Sequence, residues 1–359
     1  QMMSKVSNMK IFSPRYYLLF INVVRVVYMA EILLNYTRAG KVESVHYGDF
    51  VVVDVNGKII DSVGEPHKKM FWRSAAKPFQ ALPFVKEGGV ERFNITQEEL
   101  ALMTSSHSGE EFHVKLVNEL LEKVDLDVSA LDCGPATPMS SKAAKALTAQ
   151  GLRPEAVHNA CSGKHSGMLA LAQVMMVEVE GYTKPDHKVQ QKMIEAVAKS
   201  TNLAVNEVEI GIDGCGVPVF YLPLYNMSLA YARLAQPEAG QWGEDEQDIK
   251  TIRDAMIAHP LIVSGTGRID SLVTQITKGR IIAKIGAEAV YCLAAVDKGW
   301  GITFKIQDGS FRAINQVVIG ILKRLNLLTA EEYAQLVEKF PPILKNHRGD
   351  VIGTIEVGF

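Results

Sequence analysis

The chain has 359 residues, 47% of them hydrophobic and 22% charged, which is enough for one large catalytic unit or two subdomains with buried cores. Lys plus Arg number 38 and Asp plus Glu 40, giving a net charge of −2. That balance leaves out the basic footprint of a nucleic-acid binder, and no charge block or low-complexity tract marks a disordered tail. Four cysteines are too few for a disulfide scaffold, so the composition describes a globular enzyme or binding protein.

In chain order, Lys5, Lys10 and Arg15 precede an apolar stretch from Tyr16 to about Met29, a loose imitation of a secretory signal. Asn22 and Arg25 interrupt the stretch, which is too short and broken for a membrane span. Residues 1–28 are therefore expected to be an N-terminal extension or the product of a mis-assigned start, with the catalytic unit spanning 29–359. Phe50-Val51-Val52-Val53-Asp54-Val55, then Asn56-Gly57 and Lys58-Ile59-Ile60, predicts a β-hairpin. Helical patterns follow at 97–104, 111–123, 140–150, 167–179 and 186–201. Segments 202–212 and 216–220 read as strands, 222–234 and 244–258 as helices. Strands return at 280–284, 289–292 and 301–306, then a helix at 315–325 and a last strand at 353–357. Strands at both ends with helices between predict an α+β fold: one antiparallel or mixed sheet joining the two ends, with a helical insert and flanking helices. No phosphate-loop or dinucleotide glycine pattern occurs.

Four segments carry chemistry. In Arg73-Ser74-Ala75-Ala76-Lys77-Pro78, Ser74 and Lys77 share one face of a helical turn. A lysine activates a serine only as a neutral amine, which requires desolvation or a nearby cation. Pro78 has no N–H to offer the carbonyl four residues back, so Ser74 is expected near a helix start with its carbonyl unpaired and free N–H groups close by. Thr104-Ser105-Ser106-His107-Ser108-Gly109-Glu110 reads either as a helix cap, with Ser108 as cap and Glu111 at the third position, or as a polar pocket lined by Ser106 or His107. Cys161-Ser162-Gly163-Lys164-His165 and Asp213-Gly214-Cys215-Gly216 gather two thiols, an amine and a carboxylate. They read either as buried thiols near unrelated polar groups or as ligands of a soft divalent ion, zinc first. Lys284, in Lys284-Ile285-Gly286-Ala287-Glu288, ends a predicted strand, and Arg268-Ile269-Asp270-Ser271 lies upstream of it.

Together with Thr37-Arg38 and Val42-Glu43-Ser44-Val45-His46, these segments resemble the rhizobial-type L-asparaginases, the asparaginase II family, from about Glu31 to Val357. The resemblance implies a fold similar to serine β-lactamases, penicillin-binding proteins and serine glutaminases. It implies two serine–lysine pairs, Ser74 as nucleophile with Lys77 as base, and Ser106 with Lys284 as proton relay. It also implies a zinc site at Cys161, Lys164 and Cys215 with Asp213 beside it. Candidate substrate-binding residues are Arg73, His107, Asp213 and Asp270. Some members carry cysteine where this chain has Asp270, a carboxylate placed to pair with a substrate ammonium or with Lys284. The expected function is hydrolysis of L-asparagine by a cytoplasmic homodimer. The rivals are a glutaminase or other acyl-serine amidohydrolase on the same scaffold, and a non-catalytic, zinc-containing amino-acid-binding protein.

Overall fold

The run Phe50-Val51-Val52-Val53 lies near the C-terminal end of a 14-residue strand, β2 (Lys41–Asp54), and all four side chains are buried because both faces of the sheet are covered. In this computed structural model, which describes residues 30–359, β2 is the central strand of the main sheet. The expected extension, 1–28, lies outside the described residues.

The other strands are β1 (Glu31–Arg38), β3 (Ile59–Val63), β4 (Lys69–Phe71), β5 (Glu209–Ile212), β6 (Pro218–Pro223), β7 (Ile281–Gly286), β8 (Val290–Ala295), β9 (Trp300–Ile306), β10 (Ile343–Lys345) and β11 (Val351–Val357). The main sheet runs β10-β11-β1-β2-β9-β8-β7, with β3 also paired to β2, and every pairing is antiparallel. The first and last strands of the described residues pair, with Leu34 of β1 opposite Val357 of β11. Residues alternate between two cores, as a period of two demands. Val51, Val53, Cys292 and Ala294 face the larger helical layer, while Phe50, Val52, Tyr291 and Leu293 face the helices Ile314–Arg324 and Ala330–Lys339. The α+β architecture expected from the sequence is the one observed.

The differences from expectation have local causes. A second sheet, β4-β6-β5, stands apart from the first; its three-residue strand β4 is too short to show a period. The helix expected from residue 167 begins at Ser162. Gly163 sits inside it rather than before it, because a Cβ there would lie 2.4 Å from the Leu102 carbonyl oxygen. The helix Glu111–Lys123 ends where expected, but its cap is Glu110, whose N–H donates to His113 Nδ1. Ser108, the expected cap, instead donates its hydroxyl to Glu110 Oε2. The helix Ile269–Ile276, not read from the sequence, packs along β7.

Candidate active site

The segment after β4 is pinned by Trp72, whose N–H donates to the Phe220 carbonyl of β6 and whose ring stacks on Phe79 in the core. Arg73 then takes φ +52°, a left-handed conformation costing about 1 kcal/mol or more in a side-chain-bearing residue. This reversal starts a 3₁₀ turn, Arg73–Ala76, that runs into the short α-helix Lys77–Gln80. Ser74 lies at the start of the turn, as expected, but its carbonyl is not left free: the Lys77 N–H bonds to it in 3₁₀ fashion. The end of β7 lies against this turn because residue 286 is glycine. A Cβ there would come within 3.0 Å of the Trp72 oxygen.

Ser74, Ser106, Cys161, Cys215, Asp213 and Arg268 line one cavity of about 220 Å³. Lys77 and Lys284 lie beneath it, both fully buried. Lys77 Nζ donates to the Ser105 carbonyl at 2.6 Å, to Ser106 Oγ at 3.2 Å and to the Ala160 carbonyl at 3.2 Å. Lys284 Nζ reaches the same Ser106 Oγ at 2.7 Å and its neighbour's carbonyl, Ile285 O, at 2.8 Å. The expected Ser106–Lys284 contact is present. Ser74 Oγ makes no hydrogen bond among the described residues, and Lys77 turns to Ser106 rather than to Ser74. Burial pushes both lysines below the ordinary amine value. The effect is largest on Lys284, where the charge of Lys77 adds to it and nearby Asp270 opposes it. Two amines on one hydroxyl cannot both remain charged cheaply, so the arrangement favours a neutral amine at Lys284.

The metal candidates meet on another wall. Lys164 Nζ lies 3.3 Å from Cys215 Sγ, and Cys161 lines the same cavity as Cys215. The neighbouring Cys215 thiol holds the Cys161 thiol well below its usual value against burial, with Lys77 and Lys164 adding to the effect, while Cys161 and burial push Cys215 up. Two sulfurs, one inclined to be thiolate, and an amine nitrogen form a donor set that fits zinc. Among the described residues no three His, Cys, Asp or Glu side chains gather as a metal group, so a metal here depends on Lys164 as third donor. Burial raises the Asp213 carboxyl, but Lys164 and Arg73 outweigh it and keep it below the ordinary range. Its Oδ1 accepts from Arg73 Nε at 3.0 Å and Nη2 at 2.7 Å, which joins two of the expected substrate-binding residues into a salt bridge.

The other two sit elsewhere. His107 is fully buried, its Nδ1 accepting from the Gly109 N–H and its Nε2 lying 2.8 Å from Ser162 Oγ, so it shapes the loop carrying Ser106 rather than facing the cavity. Asp270 is 2% exposed and does not pair with Lys284. Its Oδ1 accepts from the Ile285 N–H at 2.7 Å, capping the outer edge of β7 one residue after Lys284, and its Oδ2 has no partner among the described residues. Sequence reading missed Asn159, which accepts from the Cys161 N–H and donates to the Cys133 and Gly134 carbonyls, fixing the thiol's loop. Asn159 stands directly before that loop, and an Asx turn was the available signal.

A desolvated lysine on one serine, beside a second serine that opens a helical turn, brings hydroxyls and a candidate base to one cavity. The family model for L-asparaginase II matches residues 34–357, and the chain belongs to that hydrolase family. No curated protein matches the sequence. Similar solved structures include a beta-lactamase from Mycobacterium bovis, 14% identical with a TM-score of 0.42, the match covering 77% of this chain and 94% of that one. Another is a mutant simvastatin synthase from Aspergillus terreus, 11% identical with a TM-score of 0.43, covering 81% and 93%.

Proposed function

We propose that the protein hydrolyses L-asparagine to L-aspartate and ammonia through an acyl-serine intermediate. The observation that carries this reading is the buried Lys77–Ser106–Lys284 cluster beneath the cavity that Ser74 lines, within a member of the L-asparaginase II family. In the reaction, Lys77 first passes its own proton through the Ser106 hydroxyl to the neutral Lys284 and turns toward Ser74; Ser74 Oγ then attacks the side-chain amide carbon as its proton passes to Lys77. The Ser106 hydroxyl links Lys77 to Lys284, so the proton has a path to the more desolvated amine. Collapse of the tetrahedral adduct breaks the C–N bond, and the nitrogen leaves with the returned proton as ammonia. Water then attacks the ester, with the lysines again taking its proton, to release aspartate and restore Ser74. N–H groups at the open end of the Ser74 turn stabilise the oxyanion, each by roughly 3 kcal/mol.

Cys161, Lys164 and Cys215 are the residues that would hold zinc, which when bound supplies a fixed positive charge beside the substrate. Free thiols at all four cysteines support a reducing compartment such as the cytoplasm, and a homodimer is the default assembly.

Ammonia release from asparagine, with glutamine and a chromogenic β-lactam as controls, tests the reading. Ser74→Ala should lower kcat on the order of 10⁴-fold or more with the fold retained. Near-normal turnover in that variant would transfer the nucleophile's role to Ser106, and Ser106→Ala would then be the inactive protein. Elemental analysis of protein purified without chelator should give about one zinc per chain, as a single thiolate site predicts. Full activity in a metal-free preparation would rule out a functional metal.

A further inference from the structure

Two guanidinium groups line the cavity, and they are not equivalent. Arg73 is spent on Asp213. Arg268 has one hydrogen bond among the described residues, from Nε to Ser264 Oγ at 2.8 Å, and no carboxylate partner. Both terminal nitrogens are therefore uncommitted, in a cavity where Lys77, Lys164 and Lys284 already have acceptors.

The base of Arg268 is rigid. Ser264, which holds Nε, is 1% exposed. The loop from Ser264 to Arg268 is tied down at its first residues. Ser271 Oγ lies 2.7 Å from the Gly265 carbonyl and 2.9 Å from the Pro260 carbonyl, and the Thr266 N–H donates to Glu110 Oε2 at 2.9 Å. Gly265 has φ +139°, and a Cβ there would lie 2.0 Å from Ser108 Oγ, so this loop and the one carrying Ser108 close on each other without space for a larger side chain. A fork held by Nε with both terminal nitrogens free is preorganised for two parallel bonds to a carboxylate.

Asp213 completes the picture from the opposite sign. Its Oδ1 takes Arg73 and the Gly214 N–H, and among the described residues no hydrogen bond is made by Oδ2. Asp213 comes from the turn between β5 and β6, Arg268 from the start of the helix packed along β7, so the free cation and the free carboxylate oxygen belong to different walls.

We propose that Arg268 is the carboxylate-reading residue of this site: it binds the α-carboxylate of a free amino-acid substrate and restricts the enzyme to α-amino acids rather than peptide-internal amides. This rests on the amidohydrolase reading and names the substrate class within it. The terminal nitrogens grip the carboxylate, the amino group turns toward Asp213 Oδ2, and the side-chain amide is left for Ser74.

The test compares two ligands that differ at one group. L-Aspartate keeps the α-carboxylate and L-isoasparagine carries an amide in its place. Calorimetric titration of the full chain should show L-aspartate binding at least about tenfold tighter than L-isoasparagine, the worth of a charge-assisted pair. In Arg268→Ala the two affinities should come within about threefold of each other, and the KM for asparagine should rise roughly 10- to 100-fold with kcat changing far less. Arg268→Lys keeps the charge without the fork and should fall between; it also serves if Arg268→Ala does not fold, as judged by its melting temperature. Equal loss of both ligands in the variants, or no preference for L-aspartate in the wild-type chain, would overturn the assignment. Failure of the amidohydrolase reading shows separately, as absence of ammonia release by the wild type, and leaves the two-ligand comparison intact.

Discussion

At the scale of single residues, the most consequential group is the Lys284 amine. It is buried, lies 2.7 Å from a hydroxyl and is held well below its ordinary value by burial and by Lys77. Below that depressed value it carries a proton and cannot accept another. The rate should therefore fall as pH drops through it. Stability follows the same sign: the unfolded chain binds a proton at this lysine up to about pH 10.4 and the folded chain does not, so stability rises with pH across that window. Lys284→Arg places a permanent cation there and should lower kcat/KM by about 10²-fold or more while removing the acid limb attributable to this group. A variant that kept the wild-type pH–rate profile would take Lys284 out of the proton path. Asp270 acts one residue away by holding the Ile285 N–H, and so the direction in which Lys284 points.

At the scale of elements, close approach decides where pieces sit. The helix Leu224–Ala235 lies directly on β9, and Gly301 makes that possible: a Cβ would fall 1.7 Å from the Ser228 oxygen and 2.4 Å from the Ala232 nitrogen, both backbone atoms that cannot swing aside. Gly301→Ala should cost about 3 kcal/mol or more and lower the melting temperature by roughly 5–10 °C. An unchanged melting temperature would mean that the helix slides on the sheet. Long periodic elements such as 111–123, and the strands around the hairpin, were legible in the sequence because hydrophobic period and turn chemistry are local. In the small sheet β5 and β6 fall on segments read as strands, but β4 and the helix Ile269–Ile276 were not legible, since β4 has only three residues and the helix lies among motif residues whose polar character masks its apolar face. The site was legible as a set of residues but not as a wiring diagram. The i, i+3 spacing joined Ser74 to Lys77, whereas the fold hands Lys77 to Ser106, which arrives from a separate loop. A polar group's partner is set by burial across long separations, which spacing cannot encode.

For the whole molecule, buried imidazoles set the response to acid. His113 is pushed down to about 4 by burial, against hydrogen bonds to the Leu261 and Ile262 backbone, and His107 lies well below its ordinary value for the same first reason. Both are neutral when folded and take up protons on unfolding near pH 6.5 and below, so stability is lost as pH falls from about 6.5 to 4. Melting temperature should decline over that range, and less steeply in His113→Gln. Parallel curves for the two proteins would show that this imidazole has no part in the acid response. Among the described residues no helix is long and apolar enough to cross a membrane.

The meeting of β1 and β11 has a mechanical consequence. Leu34 lies opposite Val357 and Tyr36 opposite Ile355, so the strands carrying residues 30 and 359 leave the sheet side by side at the same edge. Tension applied between those two points would peel the strands apart one bond at a time, as a zipper opens, instead of shearing the whole seam at once. The fold should yield to such a pull at low force, and the strand that carries Thr37 and Arg38 should be among the first to let go.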